Sequence, residues 1–247
     1  MRLALIFLIM AATLARADEV SVAAAADLTY CLPAINAAFE KANPGVKVKT
    51  TFGSSGNFFA QIKSGAPFDV FLSADIQYPL ALEKAGMAGD AQVYAKGRLA
   101  LWTMNAGLDV SKGLAMLSGT EVKRVAIANP DHAPYGGAAK AALTHEGLWD
   151  AVSPKLVYGE NIAQTAQFAQ TGNADAGLVA LSLVMAPSMA GKGHYFEIPA
   201  DEYPAIDQAA VVTRAGSGKG LAEAYVAYLK SSEARKILEQ FGFQLPK

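Results

Sequence analysis

Residues 51–75 read TFGSSGNFFAQIKSGAPFDVFLSAD. Val46, Val48 and Phe52 make an extended run, Gly53-Ser54-Ser55-Gly56 has no bulk, and Phe58, Phe59 and Ile62 recur at helical spacing. The stretch is therefore a strand, a small polar turn, a helix and a second strand. Ser54 or Ser55 is placed to cap the helix, and the first N–H groups of a helix have no partner inside it. Free donors at the positive end of a helix dipole are what an anion site needs. An ordinary capped turn that binds only water uses the same residues.

Working outward, the same unit recurs. Glu19 to Ala24 reads as a strand that hands over through Ala25-Ala26-Asp27 to a helix whose apolar face is Leu28, Cys31, Leu32, Ile35 and Phe39. Pro33 sits in its first turns, where a missing N–H costs little. Asp69 to Leu72 is a third strand, and Ser73-Ala74-Asp75 caps a helix over Tyr78 to Ala85. Three consecutive strand-to-helix units predict a parallel sheet with right-handed crossovers. Gly97 to Thr103 is a strand that leaves this unit. A second unit follows, with strands at Arg124–Ala128, Leu156–Tyr158 and Asp175–Leu181 and helices at Ala138–Gly147 and Ile162–Gln170, the last capped by Asn161. Ala209 to Thr213 crosses back, and helices at Leu221–Leu229 and Glu233–Phe241 return to the first unit. The expected fold is α/β and two-lobed, each lobe a mainly parallel sheet flanked by helices. Lobe I spans 18–98 and 210–247, lobe II spans 99–209, and a cleft lies between them.

The 247-residue chain is long enough for two such cores. Its start, MRLALIFLIMAATLARA, has the basic residue, short apolar run and Ala-x-Ala ending of a signal peptide, with cleavage expected after Ala17. The apolar run is too short to span a bilayer. An exported, periplasmic location is expected. Removing the leader takes away two arginines and no acids, leaving 19 basic against 22 acidic residues and a formal charge of about −3. That argues against nucleic acid as a partner. Cys31, the only cysteine, lies on a helix face and reads as a buried small hydrophobe.

Catalytic patterns fail. Gly216-Ser217-Gly218-Lys219-Gly220 misses the phosphate-loop spacing on both sides, and Gly53-Ser54-Ser55-Gly56-Asn57 misses the last glycine of a nucleophile elbow. His132, His145 and His194 lie far apart with no metal-ligand spacing, and no cofactor is expected. The collective pattern is more informative. Ala26-Asp27, Ser54-Ser55, Tyr135-Gly136 and Asn161-Ile162 each sit at a helix start, two in each lobe. If the lobes face one another, four helix N-termini converge at the carboxyl ends of strands, where open α/β sheets bind ligands. None of the turns supplies Lys or Arg, so an anion there is held by neutral dipoles.

The chain resembles the periplasmic molybdate-binding proteins, the soluble receptors of molybdate ABC importers. The matching stretches are AAADLT at 24–29, FGSSGNFFAQIKSGAPFDVFLSAD at 52–75, NPDHAPYGGAAKAAL at 129–143, LWDAVSPKLVYGENIAQTAQF at 148–168 and YLKSSEARKILEQFGF at 228–243. The resemblance implies a two-lobed monomer that closes on molybdate or tungstate and hands it to a membrane permease and its ATPase. It implies ligand contacts at Ala26, Asp27, Ser54, Ser55, Tyr135 and Ile162. Ser55, Tyr135 and Ile162 match most directly, as contacts to the oxyanion's oxygens and not to the metal atom. Three positions depart from the pattern: Ala26 and Asp27 stand where relatives have hydroxyl or amide side chains, and Ala180 stands where some have a tyrosine. An ionised Asp27 facing a dianion is repulsive, so its carboxylate is expected to turn back and cap its own helix. The competing readings are a receptor for a protonated oxyanion such as phosphate, an exported hydrolase using Ser55, for which no histidine falls in the four turns, and the sensing domain of a regulator.

Overall fold

The computed structural model of the protein describes residues 18–246. The signal peptide expected over 1–17 and its cleavage point lie outside the described residues. In chain order the elements are β1 (Asp18–Ala25), a single 3-10 turn (Ala26–Leu28), α1 (Leu32–Ala42), β2 (Val46–Gly53), α2 (Ser55–Lys63), β3 (Val70–Ser73), α3 (Gln77–Lys84) and β4 (Gln92–Gly97). The chain then runs through β5 (Leu99–Thr103), β6 (Val125–Ala128), α4 (Pro134–His145), α5 (Trp149–Val152), β7 (Leu156–Gly159), α6 (Ile162–Gln170), β8 (Ala176–Ala180), α7 (Leu181–Val184) and β9 (His194–Glu197). It returns with β10 (Ile206–Val212), α8 (Gly220–Tyr228) and α9 (Ser232–Gln240).

Two five-stranded sheets result, ordered β2-β1-β3-β10-β4 and β7-β6-β8-β5-β9. In each, three strands run parallel and the other two join antiparallel. The parallel core strands β3 and β6, VFLS and VAIA, are buried throughout, as strands covered on both faces must be. Among the described residues no helix is long and apolar enough to cross a membrane.

Strand register builds the cleft. β1 pairs with β2 residue for residue from Asp18↔Val46 to Ala25↔Gly53, so the turns that follow them, at Ala26 and at Ser54, leave the sheet side by side. Ala24↔Leu72 brings Ser73 and Ala74 to the same edge. In the second sheet Ala128↔Gly159 does this for the turns that lead into α4 and α6. Helix starts then follow local chemistry. Ser54 Oγ accepts from Asn57 N–H at 3.3 Å, and Asn161 Oδ1 accepts from the N–H groups of Ala163 and Gln164 at 3.0 Å each. Pro134 opens α4 with its φ already helical.

Several boundaries differ from the sequence reading. The strand expected over 97–103 is broken at Arg98, with β4 in one sheet and β5 in the other. β4 and the exposed edge strand β9 (HYFE) carry little apolar alternation, which is why neither was expected. The helix expected from Asp27 is a 3-10 turn followed by α1, although Leu28, Cys31, Leu32, Ile35 and Phe39 are all buried as their spacing requires. α4 starts at Pro134 and not Ala138, and β10 starts at Ile206 and not Ala209. The Gly216–Gly220 stretch is a turn into α8, and its Lys219 is spent on the buried Asp69 carboxylate at 2.6 Å.

The C-terminal helices pack on the first sheet through Phe39, whose ring meets Tyr225 and Tyr228 edge-on at centroid distances of 5.1 and 5.3 Å. Phe39→Ala removes both contacts and leaves a cavity, with an expected loss of about 3–5 kcal/mol. Urea denaturation checks this; a loss below about 1 kcal/mol would show that α8 and α9 do not depend on this contact.

Candidate functional site

The facing sheet edges enclose a small cavity lined by Ala25, Ala26, Asp27, Gly53, Ser54, Ser55, Ala74, Ala133, Pro134, Tyr135 and Ile162. All six residues singled out in the sequence are among them. About 10 Å³ is open to the centre of a water-sized sphere, about the room of one water. An open groove of about 500 Å³ lies beside it, between Tyr30 and Phe52 on one side and Gln164, Gln167 and Met189 on the other. Ala26 and the first turn of α6 line this groove as well, whereas the starts of α2, α4 and α6 come together only at the smaller cavity.

The donors follow from counting N–H groups. In α2, Ser54 Oγ takes the N–H of Asn57 and the carbonyl of His132 takes that of Gly56 at 2.9 Å. The N–H of Ser55, first residue of the helix, is left over. In α6, Asn161 occupies Ala163 and Gln164 and leaves the N–H of Ile162. Ser55 Oγ accepts the N–H of Ala74 at 3.0 Å, which fixes the hydroxyl and keeps its one proton free to donate. Ala74, reached through the Ser73-Ala74-Asp75 cap, was not singled out from sequence as part of the site. Among the described residues lining the cavity there is no Lys or Arg.

Asp27 departs from expectation. Its carboxylate does not cap a helix: the 3-10 turn has Ala25 at its cap position, and Asp27 lies inside the turn, too far along to act there. Instead Oδ2 accepts from the Tyr135 hydroxyl at 3.1 Å and from Gln208 Nε2 at 2.7 Å, while Oδ1 is buried without a hydrogen-bond partner. Tyr94 reaches the other end of Gln208 at 3.4 Å. Gln208, wholly buried at a register shift in β10, and Tyr94 were missed because both sit in or beside the crossing strands, and their spacing carries no signal. Gly97 admits this network, since a Cβ there would stand 2.2 Å from the Tyr135 oxygen.

Several of these bonds span the lobes. Tyr135 on α4 reaches Asp27, Ser182 at the start of α7 donates to the Asp27 carbonyl at 2.7 Å, and Gly56 N–H meets His132. His132 Nδ1 lies 3.1 Å from Ser54 Oγ, and its Nε2 lies 3.7 Å from the exposed Glu160. The sequence reading placed no histidine at the four turns; the loop before α4 brings one there. Elsewhere His145, Glu146 and Glu202 gather ligand atoms within 4.8 Å of one another, a grouping across the fold that sequence spacing does not reveal. They lie on the solvent-facing side of the second lobe, outside the cavity.

A family model described as bacterial extracellular solute-binding protein matches residues 20–244. The chain belongs to this family. Within the family it is 43% identical over 233 residues to the molybdate-binding protein of Azotobacter vinelandii, covering 94% of this chain and 92% of that one. It is 40% identical to the molybdate-binding protein of Rhodobacter capsulatus, over 93% of this chain and 89% of that one. A solved structure titled as the periplasmic molybdate-binding protein of A. vinelandii superposes with a TM-score of 0.87 at 34% identity, covering 92% of this chain and all of that one. The two-lobed fold is the family's fold.

Burial pushes the Asp27 carboxyl from 3.8 up to about 7, partly offset by the Tyr135 and Gln208 donors. The sign follows. Below about pH 4 the group is protonated folded or unfolded and costs nothing. As pH rises toward 7 the unfolded chain ionises first, so stability falls, by about 4 kcal/mol once both states are ionised. Asp27→Asn removes this cost while keeping an acceptor for both donors. Thermal melts should show the variant above wild type at pH 8 and the two converging at pH 4; parallel profiles would show that Asp27 is not a buried acid.

Proposed function

We propose that the chain is a periplasmic receptor that captures molybdate, and tungstate with it, between its lobes and delivers the ion to the permease and ATPase of an ABC importer. The observation that carries this reading is the convergence of Ala26, Asp27, Ser54, Ser55, Tyr135 and Ile162 on one small cavity without cationic side chains. The relatives named as molybdate-binding proteins support the same ligand. Neutral donors replace the hydration of an ion that is fully deprotonated at neutral pH, and the size of the cavity selects among ions of equal charge. The two lobes, whose boundary expected at 209/210 moves to before β10 because Ile206–Val212 pairs in the first sheet, move as two bodies about crossings at Arg98 and between Glu197 and Ile206. The mature protein acts as a monomer, without a cofactor, and performs no chemistry on its ligand.

Ser55 donates through its hydroxyl and its N–H, and Ile162 through its N–H. Ser54 serves by capping α2. Tyr135 gives its hydroxyl proton to Asp27, so its part in binding is to hold that carboxyl. The His132–Ser54 contact favours a second reading, a serine hydrolase. Against it, Ser54 Oγ already accepts the Asn57 N–H as the cap of α2. Hydrolysis of a p-nitrophenyl ester that is lost in both Ser54→Ala and His132→Ala would overturn the receptor reading.

Calorimetric titration of the mature protein should give saturable binding of molybdate and tungstate and much weaker binding of sulfate and phosphate. Comparable affinity for all four ions would remove the size argument. Ser55→Ala should weaken molybdate binding by about 1–3 kcal/mol, because a donor to a charged acceptor is lost. Affinity unchanged by this substitution would place the ligand elsewhere.

Gly56→Ala tests closure. A Cβ at this position would stand 2.7 Å from the His132 carbonyl oxygen and 2.8 Å from the Tyr78 hydroxyl. The lobes then cannot meet at α2. Small-angle scattering should show the variant staying expanded on adding molybdate, while the wild type contracts; equal contraction would mean that the lobes close without this contact.

A further inference from the structure

Asp27 is an odd residue to find at an anion site. It is 1% exposed and lines the cavity. A carboxylate there faces a dianion with no cation to offset either charge. The titratable groups around it are Tyr135 from α4, Tyr94 from β4 and Cys31 before α1, each held in its neutral form by burial first and by the Asp27 charge next. α2, α6, α7 and β10 bring only neutral Ser55, Ile162, Ser182 and Gln208.

The hydrogen bonds show where a proton fits. A tyrosine hydroxyl and an amide N–H both point at Oδ2, which is thereby an acceptor twice over. Oδ1 is buried and has no partner, an arrangement that costs free energy unless something completes it. A proton on Oδ1 turns that atom into a donor, and an oxyanion in the cavity supplies the missing acceptor.

We propose that Asp27 meets the ligand as a neutral carboxylic acid, donating a hydrogen bond from Oδ1 to an oxyanion oxygen, so that capture of a dianion takes up one proton from solvent. The inference rests on the receptor function proposed above. The proton stays on Asp27 and is shared with the ligand through the hydrogen bond, and Tyr135 and Gln208 act as positioning residues that reserve Oδ2 for accepting. Burial, which favours the protonated carboxyl, acts in the same direction. Binding is therefore strongest on the acid side of neutrality and weakens as pH rises.

The test is calorimetric titration of the mature wild-type protein with sodium molybdate at pH 8, repeated in buffers of differing protonation enthalpy. The dependence of the observed heat on the buffer gives the number of protons taken up. About one proton per molybdate is expected, with affinity falling about tenfold per pH unit between pH 8 and pH 9. In Asp27→Asn, whose amide donates without titrating, the uptake should vanish and the pH profile should flatten. Molybdate binding in the wild type with no buffer dependence of the heat overturns the inference and leaves the receptor reading standing, as does uptake that persists in Asp27→Asn. No binding of molybdate or tungstate by either protein overturns the receptor reading, and the inference with it.

Discussion

The first residues of a helix carry N–H groups that the helix cannot use, and in this protein both lobes aim such groups at one cavity. Much of the architecture serves that arrangement. The in-register pairing of β1 with β2 and of β6 with β7 sets neighbouring turns at the same sheet edge. Asn161 occupies the second and third N–H groups of α6, while in α2 the His132 carbonyl takes the second and Ser54 the third, so the donors that remain belong to Ser55 and Ile162. Capping is here a means of choosing which donor stays free.

Placing those donors without cations has a consequence for closure. The lobes meet through a few hydrogen bonds, Gly56 with His132, Ser54 with His132, Tyr135 with Asp27 and Ser182 with the Asp27 carbonyl, and through apolar packing of Ala25, Ala26 and Ala74 on the second lobe and of Phe241 beside Trp102. Each hydrogen bond contributes about 1 kcal/mol net, and closing buries the Asp27 carboxyl, which costs a comparable amount or more above neutral pH. A ligand that binds only between the closed lobes shifts the equilibrium by the whole of its differential affinity.

The fold was legible in the sequence wherever a segment had one dominant pattern. Val70–Ser73 and Val125–Ala128 are short apolar runs after turn residues and stand within one residue of the expected 69–72 and 124–128, and Ile162–Gln170, with a cap and a helical stripe, stands where it was expected. β4 and β9 were not legible because they pair antiparallel at sheet edges with mixed burial. Within the site, each helix-start residue could be found from its capping chemistry. Gln208, Tyr94 and His132 could not, since each reaches the site across the fold, and no local spacing records a contact between residues 27 and 208.

The misreading of Asp27 shows how far local rules extend. An aspartate near a helix start caps it most often, and that expectation assumes the residue sits just before the helix. Here the turn begins one residue earlier, at Ala26, and the carboxylate is held by Tyr135 and Gln208 in place of capping a helix. One position of register converts a capping residue into a buried acid at the centre of the molecule. The same shift explains why Gly97 lies beneath it: the Tyr135 hydroxyl must pass close to the β4 backbone to reach Oδ2, and any side chain at 97 would occupy that path. The site therefore depends on the crossing strands as much as on the turns. β4 and β10, which join the first lobe to the second, also hold Tyr94 and Gln208, so the connection between the lobes and the polar network around Asp27 are built from the same two strands.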